Sequence, residues 1–202
     1  MTTSAEKRQE LTTRVAALEN ALADAGKVTA AAVDDAVDLY TNRLGPRRGA
    51  AMVARAWSDD AYRRRLLTDA PGLLREEGYD GEGTGNAALP FLHLLVVENT
   101  ADLHNLTVCT LCSCYPLALL GPPPRWYKSD AYRARAVREP RAVLAEFGVR
   151  LADGVSLRVW DSTADCRYMV LPERPPGTEG LSVAELAERV TVNSLIGTER
   201  DL

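Results

Sequence analysis

No stretch of the 202-residue sequence is apolar for long enough to span a bilayer, and the first ten residues are polar and charged. Neither a membrane span nor a secretory leader is expected, and the chain reads as cytoplasmic. A basic excess is also missing. Lys and Arg number 24 against 28 Asp and Glu, a net charge of −4, so no overall field draws the chain to nucleic acid or to an anionic membrane. Cysteine is scarce, with four in the sequence, and no second Cys-x-x-Cys pair accompanies the first. Three of the four fall within six residues, while Cys166 lies far along the chain. That excludes a secreted disulfide framework and turns attention to metal or redox chemistry in a reducing compartment.

The first eighty residues read as helical. Leu11, Val15, Leu18, Leu22 and Ala25 alternate spacings of four and three, which makes one apolar stripe that Gly26 ends. Thr29 is placed to cap a second helix carrying Val33, Val37, Tyr40 and Leu44, and further helical stretches run over 48–57, 59–67 and 71–77. Three glycines between Asp80 and Asn86 mark a mobile connection and the expected domain boundary.

Beyond that boundary the pattern changes. Apolar, branched runs at 91–97, 103–108, 155–160 and 167–171 predict four strands. Stretches 131–138, 141–147 and 183–190 predict helices between and after them. The expected fold is α+β: a helical N-terminal arm over residues 1–80, then a mixed domain over 87–202.

Residues 108–116 read VCTLCSCYP, with sulfurs at i, i+3 and i+5. A helix would bring Cys109 and Cys112 to one face and turn Cys114 away, whereas a strand would align Cys112 with Cys114 and oppose Cys109. Convergence of all three requires an irregular turn. A metal held by the Cys112 and Cys114 sulfurs would also have the backbone nitrogens of Ser113 and Cys114 between them. Ligating both closes one six-membered and two five-membered chelate rings, and Cys109 adds a sulfur from another direction. One octahedral corner then stays open. Thiolates select soft or borderline metals, and strongly donating amides favour a low-spin trivalent ion such as cobalt or iron.

Other readings of the cluster stand beside this one. A structural zinc site would need a fourth ligand, for which only His104 is near. An iron–sulfur cluster would need Cys166 to fold back. Three reduced, buried cysteines with no ligand are the plainest reading.

The VCTLCSCYP motif resembles the metal-binding motif of the nitrile hydratase α-subunit family, which includes the metal-bearing subunit of thiocyanate hydrolase. The resemblance extends through 97–100, 126–129, 132–135, 137–141, 167–172 and 177–180, and spans about Val96 to Gly197. Thr110 and Tyr115 resemble the cobalt class rather than the iron class. The resemblance implies a layered α-β-β-α metal-binding domain and one Co(III) ion per chain, held by Cys109, Cys112, Ser113 and Cys114. It also implies Cys112 as sulfinic acid, Cys114 as sulfenic acid and Cys109 as thiolate. A β-type partner subunit, or two smaller ones, would supply arginines to the sulfur oxygens. The implied reaction is hydration of a small-molecule nitrile to an amide, with Cys114 as the catalytic group; thiocyanate hydrolysis is the alternative.

Asp161, Asp165 and Arg167 resemble the charged residues that surround the family's metal site, with Asp165 where Glu is usual. Two positions depart further: Leu117 stands where Trp is usual, and Pro90 where Gln is common. Loss of an indole at 117 points to a pocket open to a bulky nitrile, such as a nitrile-bearing heterocycle or nucleoside.

Overall fold

Residues 4–38, 46–78, 93–111 and 114–202 are described by the structure, a computed structural model. The chain divides into two compact units, Met1–Asn42 and Arg43–Leu202. The first holds α1 (Ser4–Asp24) and α2 (Ala30–Asp38). Gly26 turns the chain with a φ of 64°. The predicted cap forms, with the Ala32 amide donating to the Thr29 hydroxyl at 3.1 Å. Leu11, Val15, Leu18 and Leu22 are all exposed along α1. Tyr40 and Leu44, expected on the second helix, lie outside the described residues, as does the glycine-rich connection at 81–86.

In the second unit the helices of 46–76 belong to the core. These are α3 (Pro46–Ser58), α4 (Asp60–Thr68) and α5 (Ala70–Glu76). Met52, Val53, Ala56, Leu66 and Leu74 are buried among the strand side chains. The sequence reading assigned these helices to an arm ending at 80. The structure counts them in the unit that carries the strands, because each buries an apolar face against it. Periodicity shows that a helix has such a face but not what the face meets.

The four predicted strands form as β1 (Leu94–Glu98), β2 (Leu103–Val108), β3 (Ser156–Asp161) and β4 (Arg167–Leu171). Residues 91 and 92, expected to begin the first strand, lie outside the described residues. The strands pair in parallel as β1 with β4 and β2 with β3, in two separate two-stranded sheets. Met169, Val170 and Leu171 are buried together, as expected of a strand covered on both faces. Helices α3, α4 and α5 lie with the β1–β4 pair and its neighbours, while α7 (Asp130–Arg138) and α8 (Pro140–Glu146) lie with β2 and β3. The two sheets touch between these helical layers, which gives the α-β-β-α layering. The chain also forms α6 (Leu117–Leu120), a 3-10 turn (Arg125–Lys128), α9 (Val183–Arg189) and α10 (Val192–Ile196). Among the described residues no helix is long and apolar enough to cross a membrane.

A buried polar network ties β2 to the C-terminal end of α10. Asn99 accepts from the Asn105 amide at 2.8 Å, and the Asn105 side chain donates to the Glu98 carbonyl at 2.7 Å and accepts from the Trp160 indole at 2.8 Å. His104 is fully buried, with Nε2 donating to the Gly197 carbonyl at 2.8 Å and Nδ1 beside the Asn99 amide at 3.4 Å. Both nitrogens are thereby engaged by a neutral ring. Burial pushes the His104 pKa below its usual 6.5, against the opposing hydrogen bond to Gly197. The folded protein thus binds a proton here less readily than the unfolded chain, so below about pH 6.5 unfolding takes up protons and stability falls. In urea titrations, the midpoint should drop between about pH 7.5 and about pH 5.5 by more in the wild type than in His104→Gln, which cannot titrate. An equal drop in both would show that His104 is not the group responsible.

Candidate metal centre

The cysteine turn leaves the carboxyl end of β2. In the parallel register Val108 faces Asp161, so the first residue beyond β2 is Cys109 and the end of β3 lies beside it. The outlet at the carboxyl ends of parallel strands is where such sheets place ligand-binding loops. Cys109 is buried and Cys114 half-buried, while Leu111 between them is 81% exposed. Cys112 and Ser113, two of the four predicted ligands, lie outside the described residues, and so does Pro90.

Four residues grip the turn and the strand end it leaves. Asp161 at the end of β3 accepts from the Thr110 amide at 2.9 Å and from its hydroxyl at 2.5 Å. The Ser162 amide donates to the Val108 carbonyl at 2.7 Å. From α7, Arg133 donates to the Thr110 carbonyl at 3.1 Å. From the 3-10 turn, the Tyr127 hydroxyl donates to the Cys114 carbonyl at 3.1 Å. One level below, Tyr132 of α7 donates to the Thr107 carbonyl of β2 at 2.6 Å. Backbone groups that an irregular turn leaves without ladder partners are thus met by side chains from elsewhere in the fold.

Tyr127 is the hub of this support. It is 1% exposed, and its ring packs edge-on to Tyr115 with centroids 5.0 Å apart. Burial raises its pKa, and the electrostatic influence of Cys109, Cys114 and Asp161 adds to the shift, so the phenol stays a neutral donor. Both described cysteine thiols thus act electrostatically on one buried hydroxyl. Burial likewise raises Tyr115, whose hydroxyl is enclosed with no hydrogen-bond partner among the described residues.

Of the outer charged residues predicted from sequence, Asp161 bonds to Thr110 of the turn, while the hydrogen bonds of the other two among the described residues run within their own loop. Arg167 reaches back to the Ala164 and Cys166 carbonyls at 3.0 and 3.2 Å, and to that of Thr163, closing its own loop. Asp165 is exposed, and its backbone amide donates to the Thr163 hydroxyl at 3.3 Å. Leu117 opens α6 and packs half-buried against the core. Tyr127 and Arg133 were not singled out by sequence reasoning. Both lie in the Trp126–Ser129 and Tyr132–Arg135 stretches that carried the resemblance, but nothing local in those stretches marks a tyrosine or arginine as gripping a loop elsewhere in the fold.

The alternatives to a claw lose their extra ligands here. His104 has both ring nitrogens committed within the core, so it is no fourth zinc ligand. Cys166 lies beside Tyr168, whose pKa it helps to raise after burial. Among the described residues, which leave out Cys112, no group of three His, Cys, Asp or Glu side chains is placed to hold a metal. The two described thiols, soft donors on a turn clamped at its carbonyls and amides, fit a thiophilic ion.

The family model described as "Nitrile hydratase, alpha chain" matches residues 9–199. The chain is 50% identical over 189 residues to the low-molecular-weight cobalt-containing nitrile hydratase subunit alpha of Rhodococcus rhodochrous, covering 94% of this chain and 88% of that one. It is 41% identical to the thiocyanate hydrolase subunit gamma of Thiobacillus thioparus, over 78% of this chain and 67% of the relative. Its fold superposes on a double mutant of the Fe-type nitrile hydratase of Comamonas testosteroni Ni1 with a TM-score of 0.83 at 41% identity, over 98% of this chain and 92% of the other.

Proposed function

The chain belongs to the nitrile hydratase α-chain family, and from that membership we propose that it is the metal-bearing subunit of a cobalt enzyme hydrating nitriles to amides. The observation that carries the reading is the sulfur-rich turn at the carboxyl end of β2, gripped at Thr110 by Asp161 and Arg133 and at Cys114 by Tyr127. Cys109, Cys112 and Cys114, with the main-chain nitrogens of Ser113 and Cys114, would hold one Co(III). When bound, that ion supplies a Lewis acid that makes the nitrile carbon electrophilic.

The chain's own residues do the rest. Cys114, oxidised to the sulfenic acid, presents an oxygen nucleophile beside the substrate or activates a water there, and proximity replaces a bimolecular encounter. Cys112 is the sulfinic acid and Cys109 the thiolate. Asp161 holds the Thr110 amide and hydroxyl, so the entry to the turn keeps its shape as substrate comes and goes. Oxidised sulfur is reactive and needs shelter, which a β-type subunit would complete by donating arginine hydrogen bonds to the sulfur oxygens. Asp165 and Arg167 act through the 163–166 loop that follows β3 rather than on the sulfurs.

The substrate class is a nitrile, and Leu117 in place of an indole favours a bulky one. In the complex assembled with its partner subunit and cobalt, nitriles should be hydrated and thiocyanate turned over at least about a hundredfold more slowly in kcat/KM. Thiocyanate as the better substrate would move the chain to its neighbouring activity. Leu117→Trp should cut kcat/KM for a large aromatic or nucleoside nitrile by about tenfold or more, leaving a small aliphatic nitrile near the wild type. An unchanged ratio between large and small nitriles would remove Leu117 from the pocket.

A further inference from the structure

We propose that Tyr127 is a positioning residue for the metal turn, fixing the backbone of Cys114 through its hydrogen bond to the Cys114 carbonyl. The inference rests on the reading of the turn as a metal claw. Cys114 is the residue on which most depends, because it would contribute both a nitrogen and a sulfur. A five-membered ring through N, Cα, Cβ and Sγ is rigid only if the residue itself cannot swing. Its carbonyl is the one main-chain group of Cys114 outside that ring, so a donor held there fixes the residue without competing for either ligating atom.

Tyr127 is built to be such a donor. Pro124 is extended at φ −55° and ψ 146°, and it delivers the chain directly into the 3-10 turn that carries Tyr127. The phenol ring is wedged among Tyr115, Trp126 and Tyr132, with centroids 5.0, 6.1 and 5.8 Å away. Such packing leaves the hydroxyl little freedom to point elsewhere. It meets the Cys114 carbonyl at 3.1 Å, so a buried phenol braces the turn from below at this residue.

The test is Tyr127→Phe in the complex assembled with its partner and cobalt, compared with Tyr132→Phe. The second substitution deletes a phenol–carbonyl bond of the same kind, to Thr107 of β2. Both variants should lose melting temperature by about 3–6 °C. Only Tyr127→Phe should shift the sulfur-to-cobalt charge-transfer band, lower cobalt content at limiting metal by about twofold, and reduce kcat about tenfold with KM nearly constant. An unchanged band, cobalt content and kcat in Tyr127→Phe would overturn the proposal, as would equal changes in both variants. Should the Phe variant fail to assemble, 3-fluorotyrosine at 127, which keeps the ring and a more acidic O–H, decides the matter: a displaced band supports the inference and an undisplaced one overturns it. A wild-type complex that takes up no cobalt would instead refute the functional reading itself.

Discussion

Cys114→Ser should abolish nitrile hydration, lowering kcat by at least about 10³-fold, roughly 4 kcal/mol in the barrier. The change removes a single sulfur and replaces it with an atom of similar shape. Oxygen is a harder donor than sulfur and has no sulfenic acid to form, so the variant loses a soft ligand and its nucleophile at once. The fold should survive, because Cys114 is half-buried and its carbonyl can still accept from Tyr127. Cobalt content of the assembled complex should fall in parallel, measured by metal analysis beside steady-state kinetics. Cys166→Ser is the matched comparison, since that thiol lies beside Tyr168 on the loop after β3, and its kcat should stay within about twofold of wild type. Activity in Cys114→Ser within about tenfold of wild type would remove Cys114 from the chemistry.

The second large effect is on stability. Gly197→Ala should cost about 2–5 kcal/mol and lower the melting temperature by roughly 5–20 °C. Gly197 ends α10 in the left-handed region at a φ of 94°. A Cβ there would lie 2.0 Å from the Asn105 carbonyl oxygen and 3.1 Å from the Leu106 Cα. Both are backbone atoms of β2, so no side chain can swing aside. Relief requires α10 and β2 to part, which breaks the bond from His104 to the Gly197 carbonyl and disturbs the strand from which the cysteine turn emerges. Gly148→Ala isolates the conformational part: Gly148 also has a positive φ, of 86°, but an added Cβ meets nothing within 4 Å. It should cost about 1–2 kcal/mol. Equal losses at the two glycines would show that α10 and β2 do not approach as closely as described.

Much of this was legible in the sequence, for identifiable reasons. Strands β2 and β4 were read at their observed ends, and β3 within one residue, because branched and aromatic residues concentrate there between turn formers. Helices α4, α7 and α9 were read within a residue or two from their periodicity; Asp59, Ser129 and Ser182, which cap them, were not picked out. The five-residue α10 escaped because it is too short for a period to show, although Thr191 caps it. Pairing escaped altogether: period-two patterns reveal strands but not that β1 joins β4 and β2 joins β3. The cysteine motif exposed the candidate ligands, since three thiols at that spacing have few other uses. Their supports were hidden, because Tyr127, Arg133 and Asp161 meet the turn only after the chain has folded. Asp161 was anticipated as one of three charged residues given the same role; in the structure it bonds Thr110 of the turn, while Arg167 bonds carbonyls of its own loop.

The central claim is that the turn from Cys109 to Cys114 wraps one trivalent cobalt through thiolates and main-chain nitrogen together. Metal analysis and peptide mass spectrometry on one sample of the assembled, normally loaded complex test it most directly. About one cobalt per chain is predicted, with two oxygens added to Cys112, one to Cys114 and none to Cys109. Zinc, or no metal, with all three thiols unmodified would contradict it.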